Sequence, residues 1–160
     1  MQNKIISADT QVDLGFLPWD LFTSQSPKRW KNQMPHVIEK NGRAQWWVDG
    51  KFIQDVALYP ELSDLGPEMK YRVERIASTG LLEDVKNGVY RPIDPELRLK
   101  DQDLDGVFAN VIYGLTFMSA VIEDREKVAA CYKIYNDWIA NFCKNIVEFI
   151  KNSMLSSLAR

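Results

Sequence analysis

The chain has 160 residues, 46% of them apolar and 26% charged, with 20 basic and 22 acidic side chains and a formal net charge of -2. That length suffices for one domain with a hydrophobic core, and scattered, nearly balanced charge gives no electrostatic ground for a nucleic-acid or anionic-membrane partner. No apolar run approaches the ~20 residues of a bilayer-spanning helix, and Met1–Lys4 leads into a strand without the apolar core of a signal peptide, so a cytoplasmic location is expected.

The first ordered stretch is Ile5-Ile6-Ser7-Ala8-Asp9-Thr10-Gln11-Val12-Asp13-Leu14. Its β-branched opening predicts a buried strand. Asp9, Gln11 and Asp13 follow at alternate positions, so on a regular strand they share one face near its carboxyl end, where α/β proteins place their chemistry. Leu14–Trp19 reads as a loop, and Asp20–Trp30 as turn-rich with short helical stretches around Trp19–Phe22 and Pro27–Trp30. Pro35 stops any continuation. His36–Glu39, Ala44–Val48 and Lys51–Val56 then form an antiparallel meander, its second turn marked by Asp49-Gly50.

Tyr59–Asn87 lacks a sustained period and reads mostly as a surface excursion, with a short helix over Pro67–Val73. Asp94 is placed to cap a helix that has Pro95 at its first position, Leu97 and Leu104 on one face, and Gly106 as its stop. Val107–Gly114 is nearly continuously apolar, the pattern of a fully buried parallel strand. From Glu123, Ile134, Trp138, Phe142, Ile146, Phe149 and Ile150 recur at helical spacing, which predicts one long helix to about Met154.

Four candidate chemistries arise from these residues. Asp101–Gly106 fits the first half of a calcium-binding loop, but the twelfth position is Ile112 where a bidentate Glu is required, and a helix ending at Gly106 explains the same residues. His36 is the only histidine; catalytic zinc takes three protein ligands, often two or three of them imidazole, so His36 reads as a hydrogen-bonded surface residue. Cys131 and Cys143 lie on one helix ~18 Å apart, beyond the ~7 Å a disulfide tolerates, and read as reduced packing residues. Asp9 and Asp13 remain as a metal-free acid/base pair. The five tryptophans read as core and interface residues rather than ligand platforms.

Three segments, taken together, resemble the amidohydrolase-related proteins, the group of the aminocarboxymuconate-semialdehyde and resorcylate decarboxylases. They are Ile5–Asp13, Pro92–Val107 and Tyr135–Cys143, in the family's order over about residues 4–143. The resemblance implies an α/β fold, the opening of a (β/α)8 barrel in which Ile5–Ala8 is strand one, Phe108–Tyr113 strand two and the Trp-containing hairpin an insertion. The expected fold is therefore an incomplete TIM-barrel-like (β/α) fragment of about two βα units, with an inserted antiparallel hairpin and a long C-terminal helix. The resemblance also implies a divalent, zinc-like metal at Asp9 and Gln11. The activity it implies is hydrolysis or non-oxidative decarboxylation of a small cyclic or aromatic acid.

Two departures shape the functional expectation. Gln11 stands where the family has imidazole, and an amide oxygen is a poorer zinc ligand. A whole barrel takes ~250 residues, and its late histidine and aspartate ligands have no counterpart here. Residues 144–160 stay helical where the family begins another strand, as expected of a truncated or frame-shifted chain. The chain is thus expected to be inactive by itself. The alternative is a non-catalytic interaction module that pairs with another chain, itself included, through exposed strand edges.

Overall fold

A computed structural model describes residues 4–31, 33–56, 78–115 and 117–158, the side chains of residues 82 and 147–158 excepted. The short helix expected over 67–73 lies outside the described residues. The architecture is mixed α/β, with a two-stranded parallel sheet, a three-stranded antiparallel sheet and helices packed against both.

β1 (Ile5–Gln11) opens the chain. Asp13 then caps a single 3-10 turn, Leu14–Phe16, its carboxylate accepting from the Gly15 amide at 2.7 Å. α1 (Leu21–Gln25) and a 3-10 turn at Lys28–Trp30 occupy the two places where short helical stretches are expected. The meander is β2 (His36–Lys40), β3 (Arg43–Val48) and β4 (Lys51–Asp55), in spatial order 2-3-4. Both of its turns are two-residue: Asn41 and Gly42 sit at φ 55° and 72°, Asp49 and Gly50 at 50° and 72°. Only residues that tolerate left-handed φ make such turns cheaply, hence Asn-Gly and Asp-Gly.

Beyond residue 78 come α2 (Leu81–Lys86), α3 (Pro95–Leu104), β5 (Val107–Tyr113), α4 (Met118–Val121) and α5 (Arg125–Leu158). α3 begins as its sequence predicts: Asp94 Oδ1 accepts from the Leu97 amide at 2.9 Å, a cap worth about 1 kcal/mol. Asp101 and Asp103 are therefore helical residues, and Asp101 accepts from Arg91 at 2.8 Å. The expected apolar face of α3 is a correction, because Leu104 is 84% exposed. The buried position is Arg98, whose guanidinium donates to the Pro92 carbonyl at 3.0 Å while its Nε has no partner. Burial pushes that guanidinium below its ordinary range. α5 starts two residues later than expected, behind Asp124, whose Oδ1 accepts from the amides of Glu126 and Lys127.

The core lies between the meander, the loop after β1 and the first half of α5. Trp46 and Phe22 are fully buried and meet edge to face at a centroid separation of 6.0 Å. Tyr135 and Ile134 bring α5 into the same cluster. Two ion pairs fasten the β3–β4 end to α5 and the segment leading into it. Lys127 Nζ donates to Asp49 at 2.6 Å with the lysine side chain 5% exposed, and Lys51 donates to Glu123 at 2.9 Å on the surface.

The cysteines divide. Cys131 is buried in the core, as a packing residue should be, whereas Cys143 is exposed, which corrects the expectation for that position. Phe142 beside it is 5% exposed, so the helix still packs at this level and Cys143 falls on its outer side. Burial pushes the Cys131 thiol from 9.0 up to about 12. Between those values the unfolded chain ionises and the folded chain does not, so this group's contribution to stability is intact below pH 9 and declines as pH rises toward 12. In native protein one of the two thiols is expected to react promptly with an aromatic disulfide reagent at pH 8, and the second only on unfolding. Two equally fast thiols would contradict the burial of Cys131.

Candidate functional site

β1 pairs in parallel with β5, and neither strand is fully buried, although the sequence of each reads as a buried strand. Ile5 and Ile6 are 56% and 59% exposed, and Phe108 of β5 is 60% exposed. The apolar pattern of a doubly covered strand is present in the sequence, while among the described residues the pair is only partly covered, Ser7, Thr10 and Ile112 being half-buried. Thr10 pairs with Ile112, both half-buried, and Ile112 packs on the core; Gln11 pairs with Tyr113, both exposed.

The pairing carries two irregularities. Between Ile5 and Ile6 the partner advances from Val107 to Ala109, so β5 holds an extra residue there. Between Ser7 and Thr10 the partner advances only from Asn110 to Ile112, so β1 holds the extra one. The second bulge puts Ser7 and Thr10 on the same side, their hydroxyls 3.1 Å apart. Strict alternation from Ile5 to Asp13 is thereby broken, and a sequence gives no sign of where an unpaired residue will fall.

Gln11 and Asp13 are brought together at the carboxyl end of the parallel pair. They line a shallow pocket of about 130 Å³ with Gln54, Gly114, Leu115 and Phe117. Asp9 does not line it; it is exposed further back along β1. Asp13 lies past the end of the strand, and its Oδ1 accepts both from the Gly15 amide at 2.7 Å and from Gln54 Nε2 at 2.6 Å. It anchors β4 to the loop after β1, a role that its strand-like spacing in the sequence conceals. Gln54 carries no sequence signal at all, since an amide in a hairpin strand is ordinary.

The candidate donors can be weighed by kind. Asp9 offers one carboxylate and Gln11 one amide oxygen, while a catalytic zinc takes three protein ligands. Among the described residues no group of three or more His, Cys, Asp or Glu side chains is close enough to hold a metal ion. His36 is at the other sheet, its Nδ1 2.8 Å from the Met34 carbonyl. This donor set does not fit a catalytic zinc. Asp9 does not line the pocket that Asp13 lines, so the two are not set around one substrate there.

The chain matches no protein-family model, and no curated protein matches it significantly. Among the described residues no helix is long and apolar enough to cross a membrane.

Proposed function

We propose that this chain is a non-catalytic association module that meets another chain through the open face of its parallel sheet. The observation that carries this reading is the exposure of large apolar side chains on one side of the paired strands: Ile6, Val111 and Tyr113 are 59%, 46% and 49% exposed. Single exposed apolar residues are ordinary, but a contiguous group on a sheet face marks a contact surface. The shallow pocket and the sparse donor set favour contact over chemistry.

The likeness to the amidohydrolase-related proteins is a second reading, and one observation favours it. The order strand, antiparallel insertion, capped helix, parallel strand is that of a barrel opening. Asp9 and Gln11, which the resemblance assigns to the metal, are both exposed on β1. On this reading the chain is the inactive opening of a TIM-barrel-like fold, whose family acts on small cyclic or aromatic acids with a divalent metal.

Sedimentation velocity over a concentration series tests the first reading. Wild type should associate, and Val111→Lys/Tyr113→Lys, which places two ammonium groups on the open face, should sediment as a monomer with an unchanged circular-dichroism spectrum. A wild type that stays monomeric throughout, like the variant, would sink it. Zinc titration of the same preparation tests the absence of catalysis: a stoichiometric site accompanied by turnover of small aromatic acids would show the chain to be an enzyme.

A further inference from the structure

We propose that the pocket at the carboxyl end of β1 binds a primary alkylammonium, with Asp13 holding the charge and Gln11 and Gln54 accepting the other N–H groups. This goes beyond association: the ligand is a small organic cation, and its site is the pocket rather than the open sheet face.

Asp13 comes to the pocket with one oxygen engaged and one free. Its Oδ1 accepts from the Gly15 amide at 2.7 Å and from Gln54 Nε2 at 2.6 Å, which pins the carboxylate in place. Among the described residues its Oδ2 accepts no hydrogen bond and no cation pairs with it. The same contact orients Gln54. A carboxylate only accepts, so the amide turns its nitrogen to Asp13, and its Oε1 is left as an acceptor without a donor among the described residues. Gln11, the last residue of β1, lines the same pocket, and among the described residues its side chain makes no hydrogen bond. Three acceptor side chains, one of them anionic, thus border one cavity, and no basic side chain lines it among the described residues.

These donors and acceptors select the kind of ligand. An ammonium carries three N–H donors and no acceptor, one donor for each of the three side chains. A guanidinium is held best by both oxygens of a carboxylate, and Oδ1 of Asp13 is already engaged twice. Calcium takes roughly six to eight oxygen ligands, more than these side chains supply. An anion would be repelled by Asp13. Leu115 and Phe117 give the pocket an apolar wall on which an alkyl stem can pack. The volume of about 130 Å³ is close to the roughly 150 Å³ of a cavity that takes benzene, so a short alkyl stem fits. With one solvated carboxylate supplying the charge, binding should be in the millimolar range. A free amine and the lysine side chain of another chain share this chemistry.

Amide proton–nitrogen correlation spectra of the full-length chain test the site, with butylammonium, its neutral counterpart butanol, and Nα-acetyl-lysine N-methylamide as probes. Butylammonium should shift the resonances of Gln11, Gly15, Gln54 and Leu115 saturably, and butanol should bind about tenfold more weakly. If the lysine amide produces the same shifts, the ligand is a lysine side chain; if butylammonium alone does, it is a free amine. Asp13→Asn keeps one oxygen for the Gly15 and Gln54 donors and puts an amide nitrogen in place of Oδ2, so it should lose the shifts. Gln11→Ala, at an exposed position outside that anchor, should weaken binding about threefold with the fold intact. Shifts that butanol reproduces, that survive Asp13→Asn in a folded protein, or that Gln11→Ala leaves unchanged overturn the site, as does the absence of any saturable shift with butylammonium.

Discussion

Trp46→Ala is expected to destabilise the protein by about 3–5 kcal/mol in urea denaturation, the usual cost of deleting a fully buried aromatic side chain. Trp46 is 0% exposed, lies on the middle strand of the meander and packs edge to face on Phe22 of α1. Its removal leaves a cavity in the cluster that joins the meander to the loop after β1 and to α5. The structure adds a refinement, because the buried indole Nε1 has no hydrogen-bond partner among the described residues. An unpaired buried donor costs about 1–3 kcal/mol, so Trp46→Phe, which removes that donor and keeps much of the ring, should lose far less than Trp46→Ala. If the two variants were equally unstable, the orphan donor would carry no such cost. A loss below 1 kcal/mol for alanine would show that the core closes without this side chain.

Asp49→Gly is expected to cost about 2–3 kcal/mol, and Lys127→Met less than 1 kcal/mol, although both break the same ion pair. Lys127 is buried in the assembled core with its side chain 5% exposed, whereas Asp49 retains 30% exposure in the turn. Removing the carboxylate strands a desolvated ammonium; removing the ammonium leaves a carboxylate that water still reaches. Glycine is chosen because position 49 sits at φ 50°, where alanine adds backbone strain of its own. Thermal and urea unfolding of the double variant should then regain most of what Asp49→Gly loses. Additive losses in the double variant would mean that the two residues are not energetically coupled.

The elements that the sequence reveals are those with local chemical causes. Asn41-Gly42 and Asp49-Gly50 close the meander because their backbone demands are local, and Asp94-Pro95 opens α3 for the same reason. That Ile5–Gln11 and Val107–Tyr113 are strands follows from their β-branched and apolar openings, whereas their parallel pairing is expected from the family resemblance alone. What does not follow from the runs is coverage: an apolar strand reads as buried whether or not a layer exists to bury it, and Ile5, Ile6 and Phe108 are exposed. Likewise Leu97 and Leu104 mark a helical face by spacing, yet Arg98 is the residue α3 buries. At the candidate site, alternation places Asp9, Gln11 and Asp13 together, whereas the pocket gathers Gln11 and Asp13 without Asp9, and an extra β1 residue falls between Ser7 and Thr10. Gln54 reaches Asp13 from 41 positions away, a contact that no pattern in either segment announces.

The pairing of Ile5 with Val107 has a kinetic side. The meander joins residues about ten apart, as in Gln45 with Asp55, while the parallel pair joins residues about a hundred apart. Loop-closure entropy rises as (3/2)RT ln n, so bringing β1 to β5 costs about 2 kcal/mol more than closing the hairpin. That cost is met only once the intervening chain has condensed around the core. The parallel sheet therefore closes after the meander, together with the other long-range contacts such as Arg29 with Glu126. A chain that has closed only its meander therefore has no parallel sheet face to offer to any neighbour.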